Sequence, residues 1–437
     1  MELSGPSLGV VGMIAVLVLL LIRIPIGVTL AMVSVGGLYF MFGSGVAISL
    51  LRDLPYEFAA SWSLSSIPMF LLMGFICYSA GLTDGLFRAA SLWLRWLSGG
   101  LAIGSVLGAA LFSAVSGSSL ACAAAMSKTT LPEMLSRRYD ASLAAGTVAA
   151  AGTLGTLLPP SITLIVYGIF VQVSIRDLFM AGVLPGLIVA AGYGLMIFVR
   201  TWLKPELAPR IEERPEPREK WDALIEVWPV LVLSAGVLGG LMAGFFSPSE
   251  SGAIGAFLSI VIALVRRSLT LGIIRDAVVE TITVTSAIFL IIIGADLFTK
   301  FLVLTELPNV LSGALVDMGL SQLQLILMMC AIFFLLGMFV EPIGIMLLTL
   351  PILLPTIEAS GINLIWLGIL VVKFTEIGLI TPPVGLNVFV VKAVAGNLVT
   401  LTQIFRGIGW FLAVDAVVIA ILIAFPEVVL FLPNLAR

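Results

Sequence analysis

Long apolar runs separated by short polar punctuation set the pattern of this chain. About 20 apolar residues suffice to cross a bilayer, and such runs recur from end to end. Residues 8–22 with their flanks, and 26–42, predict two spans, closed by Arg23 and by a glycine turn at 43–45. Residues 67–80 belong to a third span that begins near Trp62. Residues 46–61 and 84–97 mix charges with Leu, Phe and Trp, as helices lying along a membrane surface do. The apolar stretch 101–126 is interrupted by SAVSGSS at 113–119. Its arms of about a dozen residues, ~18 Å at the helical rise, are too short for a hydrocarbon core of ~30 Å. A re-entrant helical hairpin is therefore expected, with its tip at 116–119. Such a tip persists at membrane depth only where protein or a wet cavity receives its backbone polar groups.

The next apolar stretch, 141–170, cannot be one helix. Pro159 and Pro160 each remove a donor and clash with the preceding turn, costing roughly 3 kcal/mol each in a helix interior, and Pro160 pushes Pro159 out of the α region. The same event recurs in GLITPPVGLN at 378–387, with Pro159 and Pro382 223 positions apart, about half the chain. Two broken membrane helices at matching places in two halves point to a transporter binding site.

The polar, proline-rich stretch 204–222 reads as a solvated linker. It divides the chain into a first repeat, 1–203, and a second, 223–437. The first holds three spans, a hairpin at 101–128, the broken helix 141–170 and a span at 178–200. The second holds spans at 227–245, 252–265 and 282–297, an amphipathic segment at 301–316, a hairpin at 321–356 interrupted at 337–344, the broken helix 362–391 and a last span at 408–431. Five crossings per half is an odd number, so the second repeat must be inverted. With the linker in the cytoplasm, seventeen of the 22 basic residues fall on the cytoplasmic side and four, including Arg437, on the outer side, as the positive-inside rule requires. Both termini then face outward. The first hairpin opens inward and the second outward.

Composition agrees: 60% of residues are hydrophobic and 11% charged, where soluble domains carry ~25% charge, and mean hydropathy is +1.19. The fold class is an all-α polytopic membrane protein; a β-barrel would show short alternating segments. Histidine does not occur, which excludes imidazole chemistry. Cys77, Cys122 and Cys330 are scattered and read as packing residues. Glu2 and the lack of a basic residue before residue 8 argue that the first run is a retained span. The net charge of −3 gives no reason to expect nucleic acid.

The breaks carry the candidate chemistry. Ser116 and Ser119 are three apart at the hairpin tip, and Gly155, Leu158 and Pro159 offer carbonyls freed by the break. Together they suit a hard monovalent cation, which half-helix ends and unwound carbonyls can hold. Gly337, Gly378, Thr381 and Val384 form a second such set. Small residues there also serve close helix packing, the expected role of Gly146 and Gly152. Half-helix N-termini favour anions, which makes Ser118, Pro160, Ser161 and Pro383 substrate-side candidates. Glu341 and Asp296 are acidic residues at or near membrane depth and so functional candidates. Glu341 is a ligand, a gate or a cap for the next half-helix; Asp296 is expected beside Lys300. Lys373 and Glu376, spaced i, i+3, read as a mutually neutralising pair. Trp93, Trp96, Trp202, Trp221 and Trp228 read as interfacial anchors.

Through SAVSGSSLACAAAM (113–126), LPEM (131–134), GTLGTLLPPSI (152–162) and GLITPPVGLNVFV (378–390), the chain resembles the large membrane subunit of TRAP (tripartite ATP-independent periplasmic) transporters, the DctM-like family. The resemblance implies a secondary transporter of the ion-transporter superfamily with an elevator mechanism, and sodium-driven uptake of an organic acid across the bacterial inner membrane. It implies a periplasmic DctP-like binding protein and a small four-helix DctQ-like membrane subunit as partners. It places sodium ligands, for at least two ions, at Ser116, Ser119, Gly155, Leu158 and Pro159, and at Gly337, Gly378, Thr381 and Val384. The chain departs from the family at Glu341, where Asp is commoner, and at Ile343, where Thr is common. The four amphipathic segments, 46–61, 84–97, 301–316 and 391–406, suit a fixed scaffold beside a moving transport domain. An ATP-driven pump lacks its G-x-x-x-x-G-K-[ST] loop here. An intramembrane hydrolase lacks a histidine base and a G-x-S-x-G elbow. An ion channel is the other alternative.

Overall fold

The computed structural model describes residues 5–209 and 216–436, and the regular structure within them is helical throughout. Arg210, Arg214 and Arg437 of the charge count, and Glu2, lie outside the described residues. Helices α1 (Gly5–Leu21) and α2 (Ile26–Phe42) pack together, and Gly43 at φ 77° turns the chain into the amphipathic α3 (Ser44–Ala59). A 3₁₀ turn at Trp62–Ser65 leads into α4 (Ser66–Ser79), followed by α5 (Asp84–Leu94). The first hairpin is α6 (Gly100–Ser116) and α7 (Ser119–Ser136). Gly117, at φ 61°, makes the turn, and Ser118 Oγ accepts from Ala121 N at 3.4 Å to cap α7. These arms are longer than expected, 17 and 18 residues. Lys128 does not end α7, which continues through Pro132 because its first apolar face stays buried as far as Met134.

The broken helix is α8 (Ala141–Gly152), α9 (Leu154–Leu157) and α10 (Ile162–Val171), followed by α11 (Ile175–Leu203). Its most apolar window is 89% buried, so it runs through protein rather than lipid. The expected linker is partly helical: α12 (Pro217–Ile225) starts inside it, with Glu216 and Glu219 forming a capping box. The chain continues through α13 (Trp228–Ser234), a π-helical turn at Ala235–Gly239 and α14 (Gly240–Met242) to α15 (Pro248–Val265).

Helix α16 (Leu271–Leu304) spans 34 residues and absorbs the first part of the expected amphipathic segment 301–316. No proline or helix-ending glycine interrupts it before Glu306, at φ 60°, so α17 (Leu307–Asp317) begins only there. The second hairpin is α18 (Gln322–Gly337) and α19 (Pro342–Ala359). The second broken helix is α20 (Leu364–Ile380) and α21 (Leu386–Ala395). The expected surface segment 391–406 is not an element. Gly396, at φ 57°, ends α21, and Thr400 with Gln403 caps α22 (Leu401–Ala424). The last span thus begins earlier than expected and stops at Phe425, where Pro426 starts α23 (Pro426–Leu435).

Among the described residues, eight helices or joined helices are long and apolar enough to cross a membrane. Helices α2, α4, α15 and α16 pack as one group; α6–α8 and α20–α22 pack as another. The pieces that follow the breaks cross over. α21 lies on α7 and α8, and α10 lies on α19 and α20. Close backbone approach at Gly146 and Gly407 locks α8 onto α22, since a Cβ on Gly146 would sit 2.6 Å from Gly407 carbonyl carbon. Gly152 likewise packs on Ala123, and the three cysteines are buried and free. The five tryptophans named above are all at least 36% exposed, as interfacial anchors are.

Candidate functional site

Helix α9 ends at Leu157, and Leu158 turns extended (φ −77°, ψ 134°) because the ring of Pro159 clashes with an α-helical residue before it. The helix resumes at Ser161, whose hydroxyl accepts from Leu164 N at 3.2 Å and donates to the Thr156 carbonyl. The first hairpin tip seats directly on this break. A Cβ on Gly155 would lie 2.6 Å from Ser118 O and 2.9 Å from Ser119 N, and one on Gly117 would lie 2.5 Å from Pro160 O. The structure therefore brings Ser116, Ser118 and Ser119 together with Gly155, Pro159, Pro160 and Ser161. Ser116 Oγ is buried with no hydrogen-bond partner, an orphan oxygen of the kind that calls for a ligand.

The second break repeats the arrangement. A Cβ on Gly378 would lie 2.4 Å from the Gly337 carbonyl carbon and 2.8 Å from its oxygen. Thr381 ends α20 in an extended conformation, and its hydroxyl donates to Ile377 O at 2.6 Å. That proton points back into the helix, so the oxygen keeps lone pairs for another partner. Val384 is half-buried beside Gly385, which restarts the chain at φ 65°. The two breaks differ in enclosure. Pro159 and Pro160 are buried, whereas Pro382 and Pro383 are exposed. Hydroxyl and carbonyl oxygens without fixed charge are the donor set a hard monovalent cation takes.

A cavity of about 690 Å³ lies between the two helix groups. The first hairpin tip reaches it through Ser116–Ser119, the second through Glu341, Pro342 and Ile343, and α16 supplies Asp276, Glu280 and Thr283. Thr156 and Thr163 also line it, but Pro160, Ser161 and Pro383 do not. The N-termini of α7 and α19 therefore both border the same space, and dipoles there favour anionic groups. Glu341 precedes α19 without a side-chain hydrogen bond to it, so its carboxylate is not the helix cap. Asp296 lines a different cavity, of about 540 Å³, and pairs with Lys300 at 3.3 Å.

The expected Lys373–Glu376 pair is present at 3.3 Å but is not self-contained, because Lys373 Nζ lies closer, 2.8 Å, to Asp415 Oδ1. Tyr193 holds both Asp415 oxygens at 2.8 Å, and Thr156 donates to Glu376 Oε1 at 2.5 Å. Sequence reasoning missed Asp415. The signal was available: a lone carboxylate within the apolar run of α22 is a functional candidate by the intramembrane rule. It also missed Asn387, fully buried, whose Nδ2 donates to Ala149 O at 3.4 Å while its Oδ1 has no partner.

A family model described as "Tripartite ATP-independent periplasmic transporter, DctM component" matches residues 13–428. A C4-dicarboxylate TRAP transporter large permease protein DctM of Pseudomonas aeruginosa is 35% identical over 403 residues, covering 91% of this chain and 92% of the relative. An isethionate TRAP transporter permease protein DctMQ of Oleidesulfovibrio alaskensis is 30% identical, covering 86% of this chain and 59% of that longer protein. Among solved structures, the Alcanivorax borkumensis YdaH transporter superposes with a TM-score of 0.65 at 16% identity, covering 88% of this chain and 90% of that one. That likeness speaks to the fold.

Proposed function

The chain belongs to the DctM component family of tripartite ATP-independent periplasmic transporters, and from that premise we propose a sodium-coupled importer of an organic acid, a carboxylate or sulfonate. The observation that carries this reading is the paired seating of each hairpin on its own break, Gly155 under Ser118–Ser119 and Gly378 against Gly337. Each pairing gathers oxygens without a fixed charge, the requirement for one cargo sodium. Ser116, Ser119, Gly155, Leu158 and Pro159 would hold one ion, and Gly337, Gly378, Thr381 and Val384 the other. The substrate would sit in the cavity between the helix groups, its acidic end toward the N-termini of α7 and α19. Sodium at either site would fix a hairpin tip against its break and so shape the substrate space.

In this reading the two halves are inverted repeats, and α2, α4, α15 and α16 belong to a scaffold past which the hairpins and broken helices move as an elevator. The protein sits in the bacterial inner membrane with both termini periplasmic. It works with a small DctQ-like membrane subunit and a DctP-like periplasmic binding protein that delivers the substrate. The name DctMQ of the isethionate relative, a longer protein than this chain, supports a partnership of this kind.

One observation favours a narrower substrate. Among the described residues, the cavity is lined by three carboxylates, Asp276, Glu280 and Glu341, and by no Lys or Arg. A second reading is therefore an organic acid that also carries a cationic group. The test is uptake into proteoliposomes holding this chain, the small subunit and the neighbouring binding protein, with a panel of labelled organic acids. Uptake driven by an inward sodium gradient is expected, and zwitterionic acids should outcompete dianions on the second reading. Equal uptake in choline, or robust uptake by this chain alone, would overturn the proposal.

A further inference from the structure

Lys373, Glu376 and Asp415 are all 0% exposed. Their contacts join α20 to α22: ammonium to Asp415 at 2.8 Å and to Glu376 at 3.3 Å. The other polar groups bonded to the carboxylates are neutral, the Tyr193 hydroxyl from α11 and the Thr156 hydroxyl from α9. With both carboxylates ionised, two face one ammonium and leave one surplus negative charge in the protein interior. Uncompensated charge there is strongly unfavourable, so a second positive charge nearby is called for.

The position of Glu376 says which charge. It is two residues before Gly378 and next to Thr375, whose carbonyl oxygen would lie 3.2 Å from a Cβ on Gly337. Its other oxygen takes the hydroxyl of Thr156, the neighbour of Gly155 in the first break. Glu376 thus adjoins a member of each set of candidate cation ligands, Gly378 along its own helix and Gly155 through Thr156. Those sets offer only carbonyls and hydroxyls, and a shell without fixed charge holds a cation more weakly than one facing a counter-charge across a poorly screened interior.

We infer that the Lys373–Glu376–Asp415 cluster is the shared counter-charge of the two cation sites, so that its net charge sets how tightly both bind sodium. This rests on the cation reading above. The three residues act through the ligands rather than as ligands themselves.

The experiment is a ladder of net charge. The purified complex with its small subunit is titrated with sodium at constant ionic strength, choline replacing sodium, and thermal unfolding is followed alongside uptake into proteoliposomes supplied with the binding protein. Glu376→Gln brings the cluster to zero, and half-saturating sodium should rise about tenfold in both measurements. Lys373→Met together with Glu376→Gln restores a net charge of minus one and should return half-saturation to within about threefold of the parent. Asp415→Asn leaves the Thr156 contact in place, carries the same zero charge, and is read identically if Glu376→Gln does not fold. A structural role alone would lower the melting temperature of every variant and leave the sodium midpoint where it was. That result, or a double variant as weak as the single one, overturns the inference while leaving the cation reading intact. A parent that sodium neither stabilises nor activates overturns both.

Discussion

The Thr156 hydroxyl donates to Glu376 Oε1 at 2.5 Å, joining residues 220 positions apart. This contact ties the short helix before the first Pro–Pro break to the helix that ends at the second. Both residues are buried, Glu376 fully, while Thr156 also borders the cavity between the helix groups.

Thr156→Val keeps the shape and leaves a buried carboxylate oxygen short of a donor. Hydrogen bonds to charged groups are worth about 1.5–3 kcal/mol, and a loss of that order in stability is expected. Thr156→Ser should retain most of it. Unfolding of the detergent-solubilised protein in a denaturant series compares the three, and equal stability of Val and Ser variants would remove the contact from the account.

Much of this arrangement was readable from sequence, for a physical reason. A proline pair strongly disfavours the interior of a helix, and SAVSGSS and GMFVEPIG interrupt runs that are otherwise continuously apolar, so both breaks and both hairpin tips fall where expected. Continuations were harder. The first hairpin was expected to end at Lys128, yet the buried face formed by Met126, Thr130 and Met134 carries α7 past it. Ends set by a single left-handed residue, such as Glu306, left no compositional trace. Asp415 stands out in its apolar run as a lone carboxylate, but its partner Lys373 lies on another helix, and one-dimensional spacing offered only Glu376 for that lysine.

The hairpins should tolerate no side chain where they touch the breaks. Gly155→Ala puts a methyl 2.6 Å from Ser118 O, and Gly378→Ala puts one 2.4 Å from the Gly337 carbonyl carbon. Both opposing groups are backbone and cannot swing away, so a hairpin must lift. Each variant is expected to lose most sodium-stimulated uptake, whereas Gly409→Ala, with nothing within 4 Å, serves as the silent control. Sodium-stimulated uptake at equal membrane expression is the measurement, and a fully active Gly155→Ala would mean the seating has no functional role.

Ser116 allows stability and function to be separated. Its hydroxyl is buried without a partner, so Ser116→Ala removes an unpaired polar group and should leave stability unchanged or raise it by about 1 kcal/mol. As a proposed cation ligand, the same change should raise the half-activating sodium concentration several-fold, and more so with Ser119→Ala added. An unaltered sodium titration in the double variant would reject this ligand assignment.

Thr381 tests the second break by a different logic, because its hydroxyl already has one partner. The bond to Ile377 O at 2.6 Å uses the only proton, and a hydroxyl oxygen retains two lone pairs. Donation backward into α20 therefore leaves it oriented to face a cation with its electron-rich side. Thr381→Ser keeps oxygen and proton and is expected to titrate with sodium like the parent. Thr381→Val preserves the branched shape but removes the oxygen; it should lose about 1 kcal/mol of stability from the missing hydrogen bond and also require several-fold more sodium. The two effects are measured independently, by denaturant unfolding without sodium and by sodium activation of uptake. A Val variant that is less stable yet keeps the parental sodium midpoint would show that the hydroxyl only finishes α20, and the second cation site would then have to be built from the carbonyls of Gly337, Gly378 and Val384 without it.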